Sequence, residues 1–358
     1  MKPSIPAKMI PMLATMAVMA ALYGIGVWKY HDPRGKNFAD LYNFTSMLKD
    51  ATPIGIAAIG ATFVILSGGI DLSIGSVVAF TAMFMADKIM NSAMHPVMVI
   101  PLVLLMGTVL GILMGCAIHF YRIPAFMVTL AGMFMMRGLT YLISTSSVSI
   151  DNGMFQYTKQ HLQLALGPAR PIPGLRFETL VFLGLMAAAI FVSHFTRFGR
   201  AIYAMGDDET SAALMGVRIG RTKIAVYGIA GFCSALAGVA VVFSGGAGDP
   251  NGAVGWELQA IAAVVIGGTL LTGGVGYVAG TFMGVIILRL IQKHLEFLGG
   301  HLWIPIWKKE LNVDSAWTMI IVGALLFTFI LLQSIIVAAA RRATALARQK
   351  SAGVLAKP

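Results

Sequence analysis

Charged residues are scarce in this sequence. Of its 358 residues, 58% are hydrophobic and only 11% are charged, whereas a soluble domain carries roughly 25% charged residues. This deficit excludes a soluble globular protein and indicates an integral membrane protein. The formal net charge of +11 is therefore interpreted through the side of the bilayer on which the basic residues lie. Nucleic acid is not expected as a partner.

Residues suited to catalysis, metal binding and disulfide bonding are also scarce. The two cysteines, Cys116 and Cys233, lie in apolar runs, where a buried free thiol is ordinary. The seven histidines form no HExxH or similar pair, so no metal site is expected. The sequence contains neither a GxxxxGK[ST] loop for nucleotide phosphates nor a GxSxG nucleophile elbow. We therefore expect no enzyme activity and no cofactor or metal bound by this chain.

Long apolar runs make up most of the chain. A spanning helix needs roughly 20 apolar residues, and the candidate segments, two of them short, lie near residues 9–28, 51–68, 72–90, 96–118, 124–144, 177–195, 224–244, 257–270, 275–292 and 316–338. Pro53, Pro96 and Pro124 are expected at helix starts, where the missing N–H costs little. The predicted fold is all-α: a polytopic transmembrane helix bundle of about 10 spans, or 8 if the short segments are re-entrant or fused.

Two of the apolar runs are interrupted by glycine-rich breaks. The first reads Ser67-Gly68-Gly69-Ile70-Asp71-Leu72-Ser73-Ile74-Gly75, and the second, Gly267-Gly268-Thr269-Leu270-Leu271-Thr272-Gly273-Gly274, shares the pattern Gly-Gly-x-x-Leu-[Ser/Thr]-x-Gly. Non-helical backbone at membrane depth must be shielded by protein or line a cavity. Two broken helices in corresponding places point to a transport pathway, although small residues that only let helices pack closely are the alternative. The candidate pathway residues are Ser67, Gly68, Gly69, Asp71, Ser73, Gly267, Gly268 and Thr269.

Asp71 is the most distinctive single residue of the first break. An acid at membrane depth is by default a functional candidate. Its position after the two glycines also favours a cap for a helix that begins at Leu72. We expect it to act as cap and pathway residue together, with direct contact to the transported solute as the less favoured role.

The distribution of basic residues indicates the orientation. Ten spans threaded from a cytoplasmic N-terminus place residues 1–8, 119–123, 196–223 and the tail from 339 inside, and these short segments hold 13 of the 26 lysines and arginines. Because cytoplasmic loops carry an excess of Lys and Arg, both termini and both glycine breaks are expected on or near the cytoplasmic side. Residues 1–340 are expected to form one transmembrane domain, followed by a basic tail at 341–358.

The predicted cytoplasmic segment 196–223 contains a short capped helix. Asp207 or Asp208 can accept N–H bonds at its start, and Gly216 suits its C-terminal stop. Apolar residues on so short a cytoplasmic helix call for a partner surface. The alternative is a loop helix that lies against its own bundle.

The same segment carries a family resemblance. Its strings Thr-Arg-Phe-Gly-Arg-x-x-Tyr-Ala-Met-Gly and Ala-x-Leu-Met-Gly-Val resemble the cytoplasmic loop of the ribose, xylose and galactofuranose type permease family of ABC sugar importers. The resemblance covers roughly residues 50–335. Within the family, the sequence is particularly similar to the galactofuranose permease. Further matches to the family are Phe63–Ser76, Ile123–Phe126, Thr129–Met133, Arg137-Gly138 and Val264–Leu271.

The resemblance implies a multi-pass permease subunit of the bacterial inner membrane that carries a monosaccharide such as galactofuranose. It implies three protein partners: an ATPase subunit that uses ATP, a second permease that is identical or related, and a periplasmic sugar-binding protein. In that family the 196–223 loop docks on the ATPase, which assigns coupling roles to Gly199, Arg200, Asp207, Asp208, Ala213, Leu214 and Gly216.

Two segments depart from the family pattern, and one alternative function stays open. Residues Gly299–Val313 look inserted, and the outer loop Ser144–Arg176 matches poorly; both are expected to face the periplasm. Broken helices are equally expected of an ion-coupled secondary transporter of a small polar solute. That class needs buried titratable groups, and the predicted spans offer few beyond Asp71.

Overall fold

The computed structural model describes residues 10–29, 38, 40–166, 175–297, 301–304, 309–312 and isolated positions between 320 and 331. The helices of these residues are α1 Ile10–Lys29, α2 Leu41–Leu66, α3 Ile74–Met90, α4 Pro96–Phe120, α5 Ala125–Ile143, α6 Gly153–Leu166, α7 Phe177–Phe195, α8 Arg197–Asp207, α9 Glu209–Leu214, α10 Ile219–Gly245, α11 Trp256–Ile266 and α12 Val278–Phe297. Short strands form two antiparallel pairs, β1 Val148–Ser149 with β2 Ala247–Gly248 and β3 His301–Ile304 with β4 Lys309–Asn312.

The helices follow the predicted apolar runs, and the predicted all-α bundle is present with the two small sheets added to it. Among the described residues, the helices long and apolar enough to cross a membrane are α2, α4, α5, α7, α10 and the 278–295 part of α12, which makes six. The predicted count of 10 is therefore not confirmed and stays a prediction. The tail 341–358 and the first residues of the chain lie outside the described residues.

Two details of the helix assignment were wrong. Pro53 does not start a helix but lies inside α2, which begins at Leu41. A proline in a helix removes one backbone bond, and burial of Met47, Leu48 and Ala51 just before it keeps the helix continuous. The sequence also did not predict α6, which occupies the outer loop and begins after Asn152, whose side chain accepts a hydrogen bond from the N–H of Met154.

Proline does mark the starts of two other helices. Pro96 is the first residue of α4, after the N-cap His95, and this confirms the expectation that its missing N–H is tolerated there. Pro124 is the N-cap of α5.

Helices α2 and α10 form the centre of the bundle. Of the apolar windows of α2 and α10, 89% and 78% are buried, against 22% for α5. The apolar sequence of α5 therefore faces outward over most of its surface, as expected of a helix in contact with lipid or with a partner in the membrane. A continuous core joins α2 and α10 to α7, α11 and α12.

Glycines let α4 pack very closely on α10. Gly107, Gly111 and Gly115 recur at every fourth position of α4, and a Cβ on any of them would meet backbone atoms of α10. A Cβ on Gly231 of α10 would in turn meet the carbonyl of Gly107. This small-residue packing is the usual way for membrane helices to approach each other.

The connections between the helices lie at the two ends of the bundle. One end, here the junction end, carries residues 67–73, 119–124, 196–218 and 267–277; the other, the opposite end, carries residues 91–95, 144–152 and 246–255. The N-terminal half of α1 lies near the junction end, because Thr15 donates a hydrogen bond of 2.6 Å to the carbonyl of Ile266. The β1–β2 pair joins the two long connections of the opposite end.

Candidate functional site

The first glycine break is a helix stop built by Gly68 and Gly69. The N–H of Gly68 donates to Ile65 O at 2.9 Å, and that of Gly69 donates to Val64 O at 3.0 Å. Gly68 has a φ of 81°, a conformation that favours glycine. These two bonds and this conformation define a Schellman motif, which satisfies carbonyls at the end of α2. The break is therefore encoded locally, and the chain resumes as helix only at Ile74.

The second break repeats this geometry at the end of α11. The N–H of Gly268 donates to Val265 O at 2.9 Å, that of Thr269 donates to Val264 O at 3.2 Å, and Gly268 has a φ of 89°. Gly268 therefore corresponds to Gly68, one residue later than the shared sequence pattern aligns them. Ser67 and Gly267 occupy the two C-cap positions.

The two breaks meet each other and the end of α8. The N–H of Gly274 donates to Leu66 O at 3.0 Å. A Cβ on Gly273 would lie 2.7 Å from the nitrogen of Gly68, and a Cβ on Gly206 would run into Leu66 O. We call Gly68, Gly206, Gly273 and Gly274 the glycine junction. Backbone contacts this close require glycine, so the broken helices and the predicted cytoplasmic segment are joined without side chains between them.

Helix α8 is held against the second break by a tyrosine. The hydroxyl of Tyr203 donates to Gly276 O at 2.8 Å. Burial, with Tyr277 nearby, raises the pKa of Tyr203 to about 12, so this hydroxyl remains a donor at physiological pH. His194, at the end of α7, stacks on Tyr277 with ring centroids 5.6 Å apart.

The predicted capped helix is present as α9, and it follows a separate helix, α8. Asp208 is its N-cap and accepts a 2.8 Å bond from the N–H of Ser211. Gly216, with a φ of 83°, ends it, because the N–H of Val217 donates to Ala212 O at 3.0 Å. Asp207 instead ends α8 and packs against Gly274.

The end of α9 and its C-cap residue, Met215, present an apolar surface. Leu214 is 86% exposed and Met215 is 73% exposed. Ala212 faces the bundle and is fully buried, while Lys223 of α10 and Glu209 form an ion pair of 2.8 Å that fixes the orientation of the helix. The helix therefore lies against its own bundle on one side and leaves an apolar surface uncovered on the other.

The remaining predicted coupling residues lie at the start of α8. Gly199 is buried under the end of α7, where a Cβ would run into the carbonyls of Val192 and Ser193. Thr196 caps α8 by accepting a bond of 3.1 Å from the N–H of Gly199. Arg200 is exposed.

Asp71 does not cap a helix that begins at Leu72, because α3 begins at Ile74 with Ser73 as its N-cap. Oδ1 of Asp71 instead accepts two bonds from Ser73, 2.8 Å from the N–H and 2.6 Å from the hydroxyl. This is an Asx turn, in which a short acid shapes the backbone two residues ahead. The carboxylate is 3% exposed, and Oδ2 has no partner among the described residues.

The other predicted pathway residues are buried within or beside the two breaks. Ser67 donates to Val64 O at 2.7 Å, and Thr129 of α5 donates to Ile70 O at 3.3 Å, which ties the first break to α5. Thr269 is fully buried against Gly276. The structure therefore brings the two sets of predicted pathway residues to one end of the bundle.

A cavity of about 950 Å³ opens beside the first break at the junction end. Its walls come from the first break, the α4–α5 connection, α9 and the start of α10, and they include Gly68, Gly69, Arg122, Ala213 and Tyr227. The volume lies within the usual range for small-molecule pockets, about 300–1,000 Å³. Within the parts of the chain that the structure describes, no cluster of His, Cys, Asp or Glu is arranged to hold a metal ion.

At the opposite end of the bundle, side chains of α5 hold the connection between α10 and α11 by hydrogen bonds. The Arg137 guanidinium donates to the carbonyls of Pro250 and Gly252, both at 3.0 Å, and Tyr141 donates to Asn251 at 2.7 Å. The carboxylate of Glu257 lies where a Cβ on Gly75 would stand. The starts of α3 and α11 therefore meet inside the bundle.

Sequence reasoning missed Gly206 and Tyr227. Gly206 belongs to the string that carries the family resemblance, yet only its contact with Leu66 shows why glycine is needed there. Tyr227 lies in an apolar run of α10 with no local signal, and its place beside Gly69 depends on how α10 packs.

The sequence matches the family described as "Branched-chain amino acid transport system / permease component" over residues 43–330. It is 42% identical over 327 residues to the inner membrane ABC transporter permease protein YjfF of Escherichia coli K12, covering 90% of this chain and 92% of that protein.

Two further relatives are named for sugars. The fructose import permease protein FruG of Bifidobacterium longum is 32% identical, with 92% of each chain covered. The ribose import permease protein RbsC of Haemophilus influenzae is 37% identical over 73% of this chain and 80% of that protein. No solved structure gives a significant match.

Proposed function

The chain belongs to the family of permease components of branched-chain amino acid type transport systems, and from this premise we propose that it is the membrane permease subunit of an ABC importer for a monosaccharide. Its relatives FruG and RbsC are named as import permeases for fructose and ribose. A sugar is therefore the solute class we assign. Galactofuranose is the specific candidate that the sequence resemblance supports.

The observation that carries this proposal is the glycine junction. A permease driven by a separate ATPase needs a rigid link between the ATPase surface and the pathway. Here α8 contacts both broken helices through Gly206, and α9 presents Leu214 and Met215 beyond it. In this proposal, a displacement of α9 by the ATPase is transmitted to both breaks through these backbone contacts.

Charge supports a cytoplasmic position for the junction end. Its described connections carry Arg122, Arg197, Arg200 and Arg218, and basic residues concentrate on the cytoplasmic side of membrane proteins. An ATPase subunit would dock on α9 from that side. A periplasmic binding protein would then deliver the sugar at the opposite end, where α6 and the β3–β4 hairpin occupy the two segments that depart from the family pattern.

A second permease subunit is the remaining partner in the proposal. The apolar surfaces of α4 and α5 are largely uncovered, which leaves room for a second copy or a related chain in the membrane. The 10-span count belongs to this proposal too, with α3 and α11 as the short members flanking the breaks.

The test is reconstitution of the permease together with a second permease subunit, an ATPase subunit and a periplasmic binding protein. ATP-dependent uptake of radiolabelled galactose, ribose or fructose into proteoliposomes is expected, with no uptake when ATP is omitted. Uptake that follows an imposed proton or sodium gradient without ATP would overturn the proposal in favour of an ion-coupled secondary transporter.

A further inference from the structure

Two buried polar atoms beside the first break lack partners among the described residues, Oδ2 of Asp71 and the hydroxyl of Tyr227. The two side chains are 3% and 1% exposed. An unsatisfied buried polar group costs about 1–3 kcal/mol, so a pair of them in one place calls for a functional explanation.

The two groups face the same small region. The Tyr227 hydroxyl lies where a Cβ on Gly69 would stand, and Asp71 follows Gly69 by two residues in the same non-helical segment. Tyr227 and Gly69 also line the inner wall of the 950 Å³ cavity. Tyr227 therefore lies between the cavity and the first break, of which Asp71 is a buried member.

The chemistry of the pair selects one kind of ligand group. Oδ1 of Asp71 is already occupied by Ser73, so Oδ2 remains as an acceptor, while a tyrosine hydroxyl donates or accepts. A hydroxyl group satisfies both, because it donates to the carboxylate and accepts from the tyrosine. An apolar side chain satisfies neither, and a carboxylate places a second negative charge beside Asp71.

We propose that Asp71 and Tyr227 form a specificity-determining contact of the pathway, which receives one hydroxyl group of the transported sugar. This inference rests on the proposed function and adds the residues that recognise the solute. In the conformation described here Tyr227 lines the cavity, whereas Asp71 is buried and is not part of the lining. The contact opens when the first break moves at Gly68 and Gly69, which places sugar recognition at the element that α8 controls.

The test uses deoxy sugars, in which one hydroxyl is replaced by hydrogen. Each monodeoxy analogue of the sugar that the wild-type transporter carries best among galactose, ribose and fructose is supplied on saturating binding protein. Its uptake rate is compared with that of the parent sugar, so the ratio reports the permease step and not selection by the binding protein. Wild type is expected to show one position at which loss of the hydroxyl lowers the uptake rate about 10-fold or more, which corresponds to one hydrogen bond to a charged group. In Asp71→Asn the penalty at that same position should fall to about 3-fold or less. Tyr227→Phe removes only the second, neutral bond of the same hydroxyl and should lower the penalty by about 3-fold.

Matched controls change the same atoms elsewhere. Tyr157→Phe and Asp87→Asn lie toward the opposite end, outside the cavity, and should keep the full penalty. Tyr227→Phe removes a single oxygen from a packed ring, so it keeps the test valid even if Asp71→Asn fails to fold.

The outcomes separate this inference from the proposed function. ATP-driven sugar uptake with an unchanged deoxy penalty in Tyr227→Phe, at every position, overturns the inference alone. Absence of ATP-driven uptake of all three sugars by the wild type overturns the proposed function, and the inference with it. A penalty that falls in the controls as well assigns the effect to general destabilisation and also overturns the inference.

Discussion

The carbonyl oxygen of Leu66 accepts a 3.0 Å hydrogen bond from the N–H of Gly274. Leu66 is the last residue of α2, so its carbonyl has no partner within the helix. The second break supplies that partner, although the two residues are far apart in the chain. The two breaks therefore form one structural unit, and a displacement of one displaces the other.

Replacing Gly206 should disrupt this unit. In Gly206→Ala the new methyl group runs into Leu66 O, and overpacking of this kind costs about 1–3 kcal/mol. We expect a lower thermal unfolding temperature in detergent and a loss of ATP-driven uptake greater than the loss of stability explains. Gly184→Ala, on α7 with open space around it, is the matched control and should leave both unchanged. Full transport by Gly206→Ala would contradict the role of the junction.

Replacing Leu214 should weaken ATPase docking without unfolding the chain. The side chain is 86% exposed, so Leu214→Asp changes the free energy of unfolding by no more than about 0.5 kcal/mol. A charge in an apolar contact surface should prevent co-purification of the ATPase and its stimulation by the permease. Val254→Asp, exposed at the opposite end, should retain both. If Leu214→Asp bound the ATPase normally, α9 would not be the docking surface.

The two acids at the start of α9 should differ in their effect on stability. Asp208→Ala removes the N-cap bond to Ser211 and should cost about 1 kcal/mol of helix stability. Glu209→Gln weakens an ion pair in which Glu209 is 53% exposed, and such pairs contribute about 0–1 kcal/mol. Hydrogen exchange of the α9 amides would measure both. Faster exchange in Glu209→Gln than in Asp208→Ala would contradict this ranking.

Arg137 should stabilise the connection between α10 and α11. Arg137→Met leaves the carbonyls of Pro250 and Gly252 without their donor, and hydrogen bonds from a charged group contribute about 1.5–3 kcal/mol each. Arg137→Lys keeps the charge but replaces the planar fork with a single ammonium, so it should destabilise the protein less than Arg137→Met does. Thermal unfolding of the three proteins is expected to rank Arg above Lys above Met, and equal stabilities would show that the contact contributes nothing.

Much of the local structure followed from the sequence because it is encoded locally. The glycine pairs stop α2 and α11 through hydrogen bonds within a few residues, and Asp208 and Gly216 bound α9 in the same way. Asp71 shows the limit of that reasoning. The acid was expected to cap a helix directly after it, but the chain stays non-helical up to Ser73. Thr129 of α5 donates a hydrogen bond to the carbonyl of Ile70, just before Asp71.

Helix α6 and the interior position of Pro53 were not predictable from local patterns. The Phe155 ring of α6 packs on Phe243 of α10, with centroids 5.2 Å apart, and this contact lies outside any short sequence window. The helix continues through Pro53 because the preceding turns are buried. In both cases tertiary packing outweighs local propensity.

The sequence by itself determined that this chain lies in a membrane, where its helices are interrupted, and which segment carries the caps of α9, because these properties depend on composition and on short-range hydrogen bonds. Only the tertiary structure decided that Gly68, Gly206 and Gly274 meet, and that Tyr227 stands beside Gly69, two residues before Asp71. Those contacts join residues distant in the chain, so they depend on helix packing, which puts the Tyr227 hydroxyl against Gly69, and on the hydrogen bond from Gly274 to Leu66.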